Sequence, residues 1–231
     1  MAGLLARRPP LPAKACGFTL IELLVAIGVM ALLAILSWRG LDGMTRAQAY
    51  TQERADQVLG LEVGLAQWGA DLEAIQRMPQ IPEILTLDWD GRALRMTRRD
   101  ATDAAGGLRV VAWTLRTVDG SGRWLRWQSE PVLTRSAWRA AWGQAGLWAQ
   151  TPGTEERRRE VVVAPITEWQ IFYFRGEALT NPLSSAGAAL PAGGLDGPDG
   201  VRLMLTLPEG HPMAGRLVRD WVRPDLSGNK S

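Results

Sequence analysis

Apolar residues are concentrated near the start of the 231-residue chain. A run from residue 18 to residue 38 contains a single charged side chain, Glu22, five residues into the run. In a helix, at about 1.5 Å of rise per residue, this run measures about 30 Å, which is the thickness of a bilayer core. The pattern therefore predicts a transmembrane helix at residues 18–38, with one carboxylate that needs a partner because charge in lipid is costly.

Beyond residue 38 the apolar positions recur at steps of three and four, which is typical of one face of a helix. Met78-Pro79 then stops the pattern. We predict that residues 39–78 continue the helix as an amphipathic segment packed on a sheet, with the charged residues, Asp71 among them, mostly on other faces. The apolar stripe consists of Met44, Ala47, Thr51, Ala55, Val58, Leu61, Leu65, Trp68, Leu72 and Ile75.

From residue 79 to residue 231 the pattern is that of strands and turns. Asp90-Gly91 and the segment 119–122 are hairpin signals, and Pro165 breaks a third strand region. The sequence thus predicts an α+β fold, a long N-terminal helix on a mostly antiparallel sheet. The predicted strands are residues 85–89 with 93–98, 108–118 with 123–129, 161–175, and 201–207 with 216–222, and residues 183–200 are predicted to form a surface loop.

The segment before the apolar run is basic and rich in proline, so we expect it to be a leader. Its charged residues are Arg7, Arg8 and Lys14. A secretory signal has its small-residue cleavage site after the apolar part, whereas here the small residue, Gly17, precedes it. Cleavage after Gly17 would remove residues 1–17 and leave the membrane helix on the mature chain, which would begin at Phe18. The leader cations favour a cytoplasmic leader and an exported C-terminal domain.

The segment around this cleavage site carries a specific motif. It reads Gly17-Phe18-Thr19-Leu20-Ile21-Glu22, followed by Leu23-Leu24-Val25-Ala26. This segment resembles the prepilin signal shared by type IV pilins and type II secretion pseudopilins. The resemblance implies that a membrane-embedded prepilin peptidase cuts between Gly17 and Phe18 and methylates the amine of Phe18, and that Glu22 guides assembly. Independently of the family, cleavage would supply the amine of Phe18, from this or a neighbouring subunit, as a partner for the carboxylate of Glu22.

Later segments are similar to one family of minor pseudopilins, the J subunits of type II secretion systems. They are Arg39-Gly40-Leu41-Asp42, the Arg-Trp-Leu-Arg-Trp sequence at 123–127, and residues 161–174 and 201–222. The resemblance implies a subunit of the pseudopilus tip that primes fibre assembly and supports export of folded proteins across the outer membrane. Implied partners are the H, I and K subunits, the major pseudopilin, the prepilin peptidase and the inner-membrane assembly platform. The anchor would lie in a bacterial inner membrane and the C-terminal domain in the periplasm.

Two other functions remain open from the residues alone. A minor pilin of a type IV pilus would share every N-terminal feature. An anchored module that binds DNA or cargo is the other alternative, since arginine and tryptophan alternate at 123–127. Loss of the three leader cations takes the formal charge from +2 to −1, however, so nucleic acid is not an expected partner.

The sequence shows no catalytic or cofactor signature, and we expect no enzyme, metal or cofactor. The single cysteine, Cys16, leaves with the leader, and the single histidine, His211, lies in a predicted turn. Asp196 and Asp199 could ligate calcium but lack the spacing of a known loop, so we interpret them as turn residues. The arginines at 157–159 are interpreted as a solvated loop.

The chain is rich in tryptophan, with 11 residues. Trp124 and Trp127 are three apart on a predicted strand and should face opposite sides of the sheet. We therefore predict that one of them is exposed and serves as an interface aromatic. Trp138 and Trp142, four apart, are expected to form one buried face of a short helix.

Overall fold

The computed structural model describes residues 17–78, 81, 83–100, 107–176, 178–183 and 197–224. Its chain divides into two units, Met1–Gln52 and Glu53–Ser231. The described part of the first unit consists almost wholly of helix. The elements in chain order are helix α1 (Leu20–Glu73), strands β1 (Leu87–Trp89), β2 (Ala93–Arg99), β3 (Leu108–Val118) and β4 (Ser121–Gln128), helices α2 (Arg135–Gln150) and α3 (Thr154–Arg158), and strands β5 (Glu160–Pro165), β6 (Glu168–Arg175), β7 (Ala178–Thr180), β8 (Gly200–Leu207) and β9 (Gly215–Val222).

The strands form two antiparallel sheets in the second unit. The first sheet has the order β1-β2-β3-β4-β5, and the second has the order β7-β6-β8-β9. Leu61, Trp68 and Leu72 of α1 are buried in one cluster with inward side chains of both sheets. The predicted α+β architecture, a long N-terminal helix packed on antiparallel sheet, is confirmed.

Both faces of the first sheet are covered. One face meets α1 and the second sheet, and the other face meets α2. Thr134 caps the start of helix α2, and its hydroxyl accepts a hydrogen bond from the amide of Ala137 at 3.1 Å. Trp138 and Trp142 are buried on α2 and stack at 5.1 Å between ring centroids, so the expected buried pair is confirmed on a longer helix than expected.

Helix α1 ends at Glu73, earlier than the predicted stop at Met78-Pro79. Strand β1 is short and pairs only with residues 94–96 of β2. The chain after α1 pairs with the rest of β2: the amide of Gln76 donates to the carbonyl of Thr97 at 3.0 Å, and the amide of Arg99 donates to the carbonyl of Ala74 at 2.9 Å. This backbone pairing replaces the last helical turn that the periodicity predicted.

The hairpin predictions are confirmed. β1 pairs with β2, β3 with β4, and β8 with β9. The β3–β4 turn has only two residues, Asp119 and Gly120, with φ of 50° and 76°. Positive φ at both positions is typical of a type I′ turn, which explains why β4 begins at Ser121, two residues earlier than predicted.

The third predicted strand region, 161–175, is two strands in different sheets. β5 ends at Pro165 in the first sheet, and β6 begins at Glu168 in the second. Helix α3 and strand β7 were not predicted, and α3 corrects the interpretation of Arg157 and Arg158 as loop residues, although both remain exposed. Most of the predicted 183–200 loop, residues 184–196, lies outside the described residues.

Candidate functional site

The peptide bond between Gly17 and Phe18 lies just outside helix α1, which begins at Leu20. Phe18 is 86% exposed, and a Cβ placed on Gly17 would meet no atom within 4 Å. Neither packing nor a left-handed backbone therefore demands glycine at position 17. The glycine is instead a small residue on accessible, non-helical chain, which suits recognition by a peptidase.

Thr19 and Glu22 form a capping box at the start of α1. The backbone amide and the hydroxyl of Thr19 donate to Oε2 of Glu22 at 2.9 and 2.8 Å, and the amide of Glu22 donates to the hydroxyl of Thr19 at 3.4 Å. A helix leaves its first amides without helical acceptors, and this Thr-x-x-Glu spacing satisfies two of them. The carboxylate also lies at the positive end of the helix dipole.

Thr19 is a site residue to which the sequence interpretation gave no role. Its signal was present, because threonine followed three residues later by glutamate is a helix-start pattern. Both hydrogen bonds from Thr19 end on Oε2, and within the described part of the chain Oε1 of Glu22 has no hydrogen-bond donor. The carboxylate is thus held in place with one oxygen still available to accept.

The helix that follows this capping box is apolar and unburied. Every apolar side chain from residue 20 to residue 36 that is large enough to anchor in lipid is more than half exposed. Helix α1 is long and apolar enough to cross a membrane, which supports a single-pass membrane anchor.

A second polar cluster lies at the other end of α1, where Asp71 is fully buried. Arg126 of β4 donates two hydrogen bonds to its carboxylate, from Nε to Oδ2 at 2.7 Å and from Nη2 to Oδ1 at 2.9 Å. The indole of Trp113 donates to Oδ2 at 2.9 Å, the amide of Gln67 donates to Oδ1 at 2.9 Å, and Arg98 of β2 also donates to Oδ1. The cluster fastens the end of α1 to three strands of the first sheet.

The interpretation that placed Asp71 on an outer face of the helix is therefore wrong. Asp71 lies three residues after Trp68 and four before Ile75, which are the spacings of the apolar stripe. A buried charge is tolerated there because two guanidinium groups and an indole N–H satisfy it. The signal was the position of Asp71 on the stripe, but arginine partners distant in sequence could not be identified from it.

The prediction that Trp124 or Trp127 is exposed is also wrong. The two side chains do face opposite sides of β4, as expected, but they are 0% and 1% exposed. Trp124 packs against Trp113 in the cluster beneath α1, and Trp127 stacks with Trp148 of α2. Because helices cover both faces of the first sheet, neither tryptophan is available at the surface as an interface aromatic.

The remaining candidate residues serve local structure. His211 is buried in the β8–β9 connection, and its Nδ1 accepts the amide of Met213 at 3.1 Å. The carboxylate of Asp199 accepts the amide of Gly176 at 2.6 Å, whereas Asp196 lies outside the described residues. Within the described ranges, no group of three or more His, Cys, Asp or Glu side chains could hold a metal ion.

Comparison with known families adds one match. Residues 12–38 match the family described as the prokaryotic N-terminal methylation motif. The matched segment contains Gly17, Phe18 and Glu22 together with the apolar part of α1. Proteins of this motif family are structural subunits rather than enzymes. No curated protein matched the chain.

Proposed function

From the methylation motif and the helix-on-sheet fold, which indicate a type IV pilin or pseudopilin, we propose that this chain is a minor pseudopilin of a type II secretion system. In this role it is a structural subunit of the pseudopilus tip that primes fibre assembly and supports export of folded proteins across the outer membrane. The similarity of residues 39–42, 123–127, 161–174 and 201–222 to the J subunits supports this choice over a minor pilin.

The observation that carries the proposal is the position of Glu22 beside the proposed cleavage site. Cleavage between Gly17 and Phe18 would create an amine on Phe18, the residue directly before Thr19 of the capping box. Oε2 of Glu22 is occupied by Thr19, whereas Oε1 is available to accept a hydrogen bond from the methylated amine of Phe18 on a neighbouring subunit. In lipid, where an unpaired charge is costly, this pairing would favour insertion of one subunit beside another.

Two surfaces would then join the subunit to its neighbours. The exposed apolar side chains of the first unit would pack against other membrane helices, which associate through packing and polar contacts rather than through hydrophobic expulsion. The folded second unit would present a specific interface of about 800 Å² to each neighbour if that interface has standard size. The proposed neighbours are the H, I and K subunits and the major pseudopilin.

The proposed location follows from the same features. The leader would lie in the cytoplasm, and the membrane-embedded prepilin peptidase would remove it before the mature subunit joins the inner-membrane assembly platform. The helix would then anchor the subunit in the inner membrane, with the second unit in the periplasm.

Co-purification of the full chain tests the proposal. The chain is co-expressed with a prepilin peptidase and with tagged H, I and K subunits or, separately, with tagged minor pilins of a type IV pilus. We expect the pseudopilins to capture it and the minor pilins to fail. Capture by the minor pilins alone would favour the pilus function instead.

A pair of variants tests the role of Glu22 within that experiment. Glu22→Ala should be processed and inserted but captured at least about tenfold less. Glu53→Ala removes an exposed carboxylate from the same helix and should be captured normally. Equal capture of both variants would contradict the pairing role of Glu22.

A further inference from the structure

The four edge strands of the two sheets differ in how well they are protected against pairing with another strand. Natural proteins protect edges with short strands, bulges, proline or a covering element. β1 and β7 have three residues each. β5 contains a bulge opposite Trp124 and Leu125, ends at Pro165, and lies against α1 at Gly64. Among the described edge strands, only β9 lacks these features.

β9 is a regular edge of eight residues. It pairs with β8 without a register shift, from Gly200 opposite Val222 to Leu207 opposite Gly215. It contains no proline. A long and regular edge of this kind is a template for an additional strand.

The direction of the backbone groups in β9 follows from a single hydrogen bond. The amide of Arg223 donates to the carbonyl of Asp199 at 2.9 Å, in register with the β8–β9 ladder. In an antiparallel pair, hydrogen-bonded positions alternate along the strand. Residues 217, 219 and 221 therefore bond toward β8, and residues 216, 218, 220 and 222 turn their N–H and C=O groups outward.

The side chains of these four outward residues share the outer face of the second sheet, because Leu217 and Trp221 pack toward the core. Val218 and Val222 are 49% and 58% exposed. Arg216 is exposed, and it has no ion-pair partner in the part of the chain that the structure describes.

Asp220, the remaining outward residue, is held by Arg202 of β8 through hydrogen bonds of 2.7 and 2.6 Å. Its carboxylate is still partly exposed, with 38% of the side-chain surface accessible. It can therefore accept a second cation. The outward residues of β9 are thus, in chain order, basic (Arg216), apolar (Val218), acidic (Asp220) and apolar (Val222).

We propose that β9 pairs with β9 of a second copy of this chain, antiparallel and centred on Val218. In this register Val218 lies opposite Val218 of the second copy. Arg216 lies opposite Asp220 of the second copy, and by symmetry this pair occurs twice. The two four-stranded sheets then form one continuous sheet across the two-fold axis.

The charges of β9 select this register. Centring the pair on Arg219 or on Asp220 would place like charges directly opposite each other, which destabilises a cross-strand pair. Centring it on Arg216 would do the same. Only the register centred on Val218 places each Arg216 opposite an Asp220, so the edge is self-complementary.

Disulfide formation between single cysteines tests the pairing. The full chain carrying Cys16→Ser is purified in detergent with either Val218→Cys or Val222→Cys and is oxidised. Directly opposite hydrogen-bonded residues are about 5.5 Å apart between Cα atoms, which a disulfide can span. In the proposed register, residue 222 lies far from its own copy.

We expect Val218→Cys to give at least about ten times more covalent dimer than Val222→Cys. Equal crosslinking of the two variants, or none with Val218→Cys, would overturn the proposal. Both substitutions are at half-exposed positions of one strand, so each serves as the folding control for the other.

A charge reversal measured by sedimentation tests the register separately. Arg216→Glu would face Asp220 of the second copy at both symmetric positions, and we expect it to weaken the dimer at least about tenfold. Arg219→Glu makes the same change on the same strand but faces Leu217 of the second copy, so the dimer should persist. Equal effects of the two reversals, or a chain that is monomeric before substitution, would overturn the proposal. Neither test depends on the proposed secretion role.

Discussion

Arg126 of β4 binds Asp71 of α1 through two parallel hydrogen bonds of 2.7 and 2.9 Å, although the two residues are 55 positions apart. A bidentate guanidinium–carboxylate pair fixes distance and orientation together. Around it, α1 and the first sheet bury mainly apolar and aromatic side chains, Trp68 and Trp113 among them. The pair therefore determines where along α1 the sheet is attached.

Removal of the carboxylate should destabilise the fold strongly. Asp71→Asn leaves the guanidinium groups of Arg98 and Arg126 buried without a compensating anion. We expect a loss of about 3–5 kcal/mol in the free energy of unfolding, measured by denaturant titration followed through tryptophan fluorescence. Glu62→Gln, at an exposed position of the same helix, should change it by less than about 0.5 kcal/mol. Similar values for the two variants would mean that the buried pair contributes little.

Close approach of α1 to β5 depends on Gly64. A Cβ at this position would lie 2.0 Å from Cγ1 of Val163, so an alanine there requires the side chain of Val163, or the strand that carries it, to move. We expect Gly64→Ala to lower the free energy of unfolding by about 1–3 kcal/mol. At Gly69, five residues further on the same helix, an added Cβ meets nothing within 4 Å, so Gly69→Ala should raise the free energy of unfolding by up to about 1 kcal/mol through helix propensity. Changes of the same sign in the free energy of unfolding of Gly64→Ala and Gly69→Ala would contradict the proposed packing.

The hydroxyl of Tyr173 is buried, and the described residues offer it no hydrogen-bond partner. Burial raises the pKa of this phenol, and the nearby Asp88 raises it further. Tyr173→Phe should therefore leave the free energy of unfolding unchanged or raise it by up to about 1 kcal/mol at neutral pH. A loss greater than 1 kcal/mol would reveal a hydrogen bond that the phenol makes.

The same substitution should change the response to alkali. The unfolded phenol ionises near pH 10, whereas the folded phenol stays neutral, so the native protein loses stability as the pH rises above about 10. This loss should be smaller in Tyr173→Phe than in the native chain. Thermal unfolding of the native chain and of Tyr173→Phe at pH 8 and pH 11 measures this loss of stability.

Arg202 holds the pKa of the Asp220 carboxyl below its usual value, chiefly by donating hydrogen bonds to it. The contribution of this pair to stability is therefore complete above about pH 4 and is lost as the pH falls through the lowered pKa. In Arg202→Gln the pKa of Asp220 should return toward its usual value, as followed by NMR of the carboxyl carbon. Arg219→Gln removes a cation from the same sheet and should leave the pKa of Asp220 lowered. An unchanged pKa in Arg202→Gln would show that the hydrogen bonds are absent in solution.

Local patterns in the sequence were sufficient to predict most of the elements, although not α3 or β7. The period of three and four identified α1, and Asp90-Gly91 and Asp119-Gly120 located two hairpins, because turns with positive φ select few residue types. The prepilin motif was also recognisable from the sequence, because its residues are consecutive, and the roles that it assigns to Gly17, Phe18 and Glu22 stay predictions.

Features that depend on distant parts of the chain could not be predicted in the same way. Trp127 is buried because α2 covers the second face of the sheet, and its own strand carries no sign of that helix. From the sequence, Gly64 is only a residue of low helix propensity. Its role in close packing depends on Val163, almost a hundred residues later in the chain. Burial of Asp71 likewise depends on arginines that only the folded chain brings together.

Intact mass measurement of the chain, co-expressed with a prepilin peptidase and purified from the membrane fraction, tests the central claim most directly. We expect a mature chain that begins at Phe18 with one added methyl group on its amine, and we expect Gly17→Leu to remain an unprocessed precursor in the membrane. A native chain that still begins at Met1, or a Gly17→Leu variant of normal mature mass, would contradict it.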